Sequence, residues 1–166
     1  SYFDNEGGIK VTKMDLETRM RERQHVTKDD IKKGFCALGL KRGDNVGVHS
    51  SLSSLGYVEG GADTVIDALL ETVGEEGTVV MPTYSTNRRE IERTQREIEL
   101  RVTWKYKILP YDPQETLCWT GRISETFRKR KGAVRSLNPT HSLAAIGPKA
   151  VELVQGWNKL LEADGY

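Results

Sequence analysis

The sequence predicts an α/β fold, a mostly parallel sheet with flanking helices, and three observations carry the prediction. Two short apolar runs, Asn45–His49 and Thr78–Met81, read as strands. Between them Val65, Ile66, Leu69, Leu70 and Val73 recur at helical spacing, as the crossover joining two parallel strands must. A third apolar run, Leu143–Ile146, is short enough to be a strand of the same helix-covered sheet.

Each element has its own local signals. Ser1 to Gly8 is polar and reads as a frayed end, while Met14 to Gln24 carries acid-first pairs, Asp15 with Arg19 and Glu17 with Arg21, that mark an exposed helix. Thr27 has an N-cap side chain with Asp30 three residues on, so a helix is expected over Lys28–Leu38, with Ile31, Phe35 and Leu38 as its apolar stripe and Gly39 at its end. Lys41 to Asp44 then turns the chain into the first strand. The crossover helix is expected over Ala62–Val73, closed by Gly74, and Pro82 halts the second strand. Arg88 to Glu99 is dense in charge and has only Ile91 and Ile98 as apolar residues, which predicts an exposed helix or an excursion from the fold. Ile123 and Phe127, four apart, give a helix over Arg122–Arg130, and Ala150, Leu153 and Val154 give another after Pro148.

Composition narrows the function. A chain of 166 residues suits one domain, and 25 basic against 24 acidic side chains leave a net charge of +1, so nothing calls for a nucleic acid partner. Cys36 and Cys118 lack the spacing of a metal or redox pair, so no metal is expected and both thiols are read as reduced, as in a cytoplasmic protein. The apolar runs are too short for a membrane span, and Asp4, Glu6 and Lys10 stand where a signal peptide would be apolar.

Chemistry concentrates in two segments. In Val46-Gly47-Val48-His49-Ser50-Ser51-Leu52-Ser53-Ser54-Leu55-Gly56 a strand stops at His49, hydroxyls crowd the turn, and Gly60-Gly61 opens a helix. Such a turn suits a phosphate or a thioester-bearing cofactor, although serines also cap turns with no ligand at all. In Arg135-Ser136-Leu137-Asn138-Pro139-Thr140-His141-Ser142 the proline holds Asn138 extended and a polar triplet precedes a strand. His141 taken alone reads equally as a hydrogen-bonded structural histidine. There is no P-loop, and Arg130-Lys131-Gly132-Ala133 has the wrong spacing for the cofactor loop of the GNAT acetyltransferases.

Together with Gly60-Gly61-Ala62-Asp63-Thr64, Gly74-Glu75-Glu76-Gly77-Thr78, Met81-Pro82-Thr83-Tyr84 and Tyr111-Asp112-Pro113, these segments closely resemble the aminoglycoside 3-N-acetyltransferase family, over roughly Thr27 to Tyr166. The resemblance implies that family's fold, distinct from GNAT, and transfer of acetyl from acetyl-CoA to the 3-amino group of a 2-deoxystreptamine antibiotic, a resistance activity. Residues 1–26 are then a polar segment with an exposed helix, and 27–166 an acetyl-CoA-binding α/β portion. Its cofactor residues would be His49, Ser50, Ser51, Leu52, Arg135, Ser136, Asn138, Pro139, His141 and Ser142, with Arg135 pairing a phosphate. A polycationic acceptor needs carboxylates, for which Asp112, Glu59 and Asp63 are candidates, with Tyr84 lining the cleft; each acid also reads as a cap or a solvated surface group.

The resemblance also implies a later half with a Thr-x-x-His-x-x-Glu segment whose histidine is associated with catalysis. That segment does not occur here, so the family's C-terminal part is expected to be missing and no catalytic residue is assigned to His25, His49 or His141. A monomer or homodimer is expected. A relative acylating another amine, and a CoA-binding fragment without turnover, stay open as alternatives.

Overall fold

A computed structural model of the protein describes residues 25–85, 88–90, 92–102 and 105–163. The expected polar end, Ser1 to Gly8, and the expected helix over Met14 to Gln24 lie outside them. Strand β1 (His25–Val26) leads to helix α1 (Lys28–Ala37), then β2 (Asn45–Gly47), a 3-10 turn (Leu52–Leu55), β3 (Tyr57–Val58) and α2 (Gly61–Val73). There follow β4 (Thr78–Pro82), β5 (Arg88–Glu90), α3 (Gln95–Glu99), β6 (Tyr106–Ile108), α4 (Arg122–Arg128), β7 (Val134–Arg135), β8 (Leu143–Ile146) and α5 (Ala150–Ala163).

The α/β class and the β2–α2–β4 unit are present, with β2 and β4 paired in parallel, Val46 opposite Val79. The expectation of a mostly parallel sheet is corrected. In the four-stranded sheet, ordered β2-β4-β8-β7, only the β2–β4 pair is parallel, and β8 runs antiparallel to both β4 and β7. For the β7–β8 pair the 136–142 connection explains it: a parallel pair needs a crossover of about a dozen residues or more, and a shorter link returns the chain alongside itself. Val48 donates to the Val80 carbonyl at 2.8 Å, so β2 keeps a ladder contact just beyond its formal end.

Two smaller sheets were not foreseen. β1 pairs in parallel with β3, and β5 pairs with β6 as an antiparallel ribbon. The charged segment Arg88–Glu99, expected as an exposed helix or an excursion from the fold, starts as strand, and only Gln95–Glu99 is helical, behind a Thr94–Glu97 capping box.

The core follows strand alternation. Val79, Met81 and Ala144 face Ile66, Leu69, Val73, Ile123 and Phe127, which puts α2 and α4 on one side of the sheet. Val80 and Ala145 face Ala150 and Val154 of α5 on the other. The Thr27–Asp30 capping box starts α1, the Thr27 N–H donating to the Asp30 carboxylate at 3.0 Å. At the far end of the sheet Gly147 packs against the Gly77–Thr78 backbone, and Gly77 in turn packs against Val73 and Asp44. A Cβ on Gly147 would collide with the Gly77 carbonyl oxygen and lie 2.7 Å from Thr78 Cα, and one on Gly77 would lie 2.7 Å from the Val73 carbonyl oxygen.

Helices α1 and α2 are pinned together outside the core. Glu71 accepts from Lys28 at 2.6 Å and from Lys32 at 2.7 Å, and these two hydrogen bonds hold its carboxyl down at about 2. A depressed folded-state pKa stabilises the fold above the unfolded value near 4.5 and ceases to do so as pH falls toward 2. Thermal midpoints recorded across that window should fall less steeply for Glu71→Gln than for the wild-type chain. Equal slopes would show that the lysine pair contributes nothing.

Candidate active site

Parallel strands β2 and β4 end side by side, and β8 begins beside them, so residues 49–56, 83–85 and 136–142 gather at one edge of the sheet. This is where ligands collect in α/β proteins. After β2 the chain passes His49, exposed, and enters the Ser50–Ser53 turn, where the Ser51 and Ser53 hydroxyls lie 3.1 Å apart and the Ser54 N–H donates to the Ser51 carbonyl at 3.1 Å. Gly56, Gly60 and Gly61 all take positive φ to bring α2 in behind it.

A cavity of about 740 Å³ lies between this turn and the 119–122 segment. Its walls are Ser50, Ser51, Leu52 and Ser53 on one side and Trp119, Thr120, Gly121 and Arg122 on the other, closed by Tyr57 and Gly61. Among the described residues that line it, Arg122 carries the only charge. The Ser50 hydroxyl is buried in this wall and has no hydrogen-bond partner, an arrangement that costs free energy unless something else supplies the partner. A second groove of about 910 Å³, mostly apolar, lies beyond Ser50 and Ser51 against α1.

The second predicted segment folds as a rigid support. Asn138 accepts from the Thr140 N–H at 2.9 Å and from the His141 N–H, and the Thr140 hydroxyl meets His141 Nδ1 at 2.9 Å. The Trp157 indole donates to the His141 carbonyl at 2.9 Å, and the Tyr84 ring stands edge-on to His141 at 5.1 Å and tilted against Trp119 at 6.1 Å. Tyr84 thus joins the 138–142 turn to the wall of the cavity. Ser136 and Ser142 are fully buried: Ser136 Oγ accepts from the Leu143 N–H at 3.0 Å, and Ser142 Oγ donates to the Thr83 carbonyl at 2.5 Å. Arg135 is also buried, and its guanidinium donates to Thr83, Ser142, Pro113 and Thr116.

The candidate acceptor residues do not converge. Asp112 turns inward on its own loop, accepting from the Gln114 and Glu115 N–H groups at 2.7 and 3.0 Å, which hold its carboxyl below the ordinary value. Asp63 pairs with Arg130 at 3.0 Å, and Glu59 lies 3.6 Å from His25. Of the four, Tyr84 alone reaches the cavity wall, through Trp119.

Sequence reasoning missed Trp119, Thr120, Gly121, Arg122 and Tyr57. The available signal was Gly121 just before a helix, with φ +115 and its Cβ position 4.0 Å from the Ser50 carbonyl oxygen, but a glycine at a helix start points to no particular partner. Cys118 is half-buried and Cys36 exposed, both free; burial pushes the Cys118 thiol up. Among the described residues no cluster of His, Cys, Asp and Glu could hold a metal, and no helix is long and apolar enough to cross a membrane.

Residues 48–161 match the sequence profile of aminoglycoside 3-N-acetyltransferases, a span that takes in every wall of the cavity. The chain belongs to this family. Aminoglycoside N(3)-acetyltransferase IX of Micromonospora chalcea is 37% identical over 131 residues, 78% of this chain and 47% of that protein. The crystal structure of aminoglycoside acetyltransferase AAC(3)-Xa superposes with a TM-score of 0.66 at 36% identity, over 85% of this chain and 50% of its own. AAC-IIIb in a binary complex with CoASH superposes with a TM-score of 0.65 at 32% identity, over 79% and 49%. The chain spans about half the length of the curated relatives it matches.

In this member of the family the Ser142 hydroxyl is a brace inside the sheet edge, so a bulky residue there would break the fold rather than plug the cavity. Ser142→Ala removes the donor to Thr83 and an acceptor of Arg135. It should lower unfolding free energy in urea by about 1–3 kcal/mol, the usual cost of orphaned buried polar groups. A change under about 0.5 kcal/mol, the usual effect of a surface substitution, would remove Ser142 from the brace.

Proposed function

We propose that the chain supplies the cosubstrate-binding part of an enzyme that moves acetyl from acetyl-CoA to the 3-amino group of a 2-deoxystreptamine aminoglycoside, and so confers resistance. The observation that carries this reading is the cavity between Ser50–Ser53 and Trp119–Arg122, with its buried unpartnered hydroxyl and its single positive charge. A polyanionic donor suits a cavity with one cation and no acid among its described lining residues, and a polycationic acceptor does not. The family, whose named members act on the 3-amino group and one of whose structures is a CoASH complex, supports donor and acceptor alike.

When bound, acetyl-CoA supplies an activated carbonyl: the amine nitrogen bonds to it, the C–S bond breaks and the thiol is released. The chain's own part is binding and orientation. Ser50 Oγ, lacking any protein partner, is placed to donate to a carbonyl or amide oxygen of the donor, and the Ser51 and Ser53 hydroxyls extend the same polar rim. Arg122 faces the same space and suits a phosphate. Tyr84 is the acceptor candidate that touches this wall, through Trp119. The ammonium must lose its proton before it can attack, and no histidine of the described residues lines the cavity to take it. The reaction is placed in the cytoplasm, where this donor is made and used.

Ser50→Ala tests the assignment because an orphaned hydroxyl and a ligand-binding one differ in two observables. Calorimetric titration with CoA should show binding by the wild-type chain and a loss of about three- to tenfold in the variant, one hydrogen bond's contribution. Thermal stability should hold or rise, since an unsatisfied buried group is removed. No heat with CoA, or unchanged affinity in the variant, would overturn the assignment.

A further inference from the structure

Arg135 is 9% exposed and touches no carboxylate among the described residues. Its hydrogen bonds all go to neutral groups: Nε lies 3.1 Å from Thr83 Oγ1 and 3.2 Å from Ser142 Oγ, Nη1 donates to the Pro113 carbonyl at 3.2 Å and the Thr116 carbonyl at 2.5 Å, and Nη2 donates to the Thr83 carbonyl at 2.6 Å. The guanidinium also packs 5.4 Å from the centre of the Tyr111 ring, whose hydroxyl donates to the Ser136 carbonyl at 2.8 Å. Burying a cation is costly, so the contacts must be dense enough to offset it.

Those contacts end on both anchors of the cavity's 119–122 wall. The first anchor is the end of β4: Thr83 is fixed by Arg135, the next residue's carbonyl accepts the Trp119 N–H at 2.9 Å, and the Pro82 carbonyl accepts the Thr120 hydroxyl at 2.8 Å. The second is Thr116, whose carbonyl Arg135 holds three residues before Trp119. Trp119 itself is 66% exposed, with little burial of its own to keep it in place.

We infer that Arg135 is a positioning residue of the donor cavity, acting through Thr83, Tyr84 and Thr116 to fix Trp119 as the surface against which the donor packs. The inference rests on the cavity being the CoA site. Lysine cannot replace Arg135: it keeps the charge but presents one ammonium where five contacts fan out in a plane.

The test is a double-mutant cycle on CoA affinity, read by calorimetry, with Arg135→Lys, Trp119→Ala and the pair. Arg135→Lys should weaken CoA at least tenfold, Trp119→Ala about as much, and the pair little more than either, because both remove the same surface. Should Arg135→Lys not fold, Thr83→Val, which deletes one acceptor of Arg135 at constant shape, takes its place and should weaken CoA about threefold in the wild-type background and under twofold beside Trp119→Ala. Factors that multiply in the pair, or a first variant within twofold of wild type, would overturn the inference while leaving the cavity assignment intact. A wild-type chain that fails to bind CoA would remove the assignment and the inference together.

Discussion

The end of β4 is the point on which this edge of the molecule depends, and it is held by a buried cation. Thr83 gives its carbonyl and its hydroxyl to Arg135, and the same carbonyl receives Ser142. From there the order spreads along the backbone: the Ser85 N–H donates to the Thr140 carbonyl at 3.1 Å and its hydroxyl to the Pro139 carbonyl at 2.9 Å, which seats the 138–142 turn. Among the described residues no ion pair closes this network. The planar fork of a guanidinium fixes where each acceptor sits, so Arg135 serves here as a geometric template more than as a charge.

A division of labour follows between the two faces of this edge. Residues predicted as ligands split into those that line space and those that support the lining. Ser50, Ser51 and Leu52 line the cavity, whereas Arg135, Ser136 and Ser142 are buried behind it and Asn138 is spent on its own turn. A motif of polar residues at a strand mouth therefore mixes two physical roles. Hydroxyl and amide groups suit both, because the hydrogen bonds that fix a tight turn are the same in kind as those that would hold a cosubstrate.

The fold was legible where burial sets a period. Helix α2 shows its stripe in the sequence because Val65, Ile66, Leu69 and Val73 all meet the core, and the Thr27 cap is legible because it is local. The direction of β8 was not, since Leu143–Ile146 is apolar on both faces and such a run reads the same in either orientation; the length of the 136–142 link sets it against β7 but not against β4. The site was half legible. The Ser50–Ser53 turn announces itself by composition, but Trp119 to Arg122 face it across about 70 intervening residues, and an exposed tryptophan two residues before a glycine carries no local signature of burial or period. Asp63 and Glu59 stand in a distinctive segment, and what the sequence did not show is that their carboxylates lie against Arg130 and His25.

The contact of Gly77 with Gly147 acts as a vernier for the sheet. Gly147 leaves no room for even a methyl group where the exit from β8 passes the entry to β4, and at the other end of the same strand pair Ser142 is locked under Thr83. A slide of β8 by one residue would bring the Ile146 side chain into the glycine seam and turn Ala144 and Ala145 to the wrong faces. The pairing is thus indexed at both ends, by missing atoms at one and by a hydroxyl at the other. The strand mouth inherits its alignment from a seam at the opposite end of the sheet, far from any ligand.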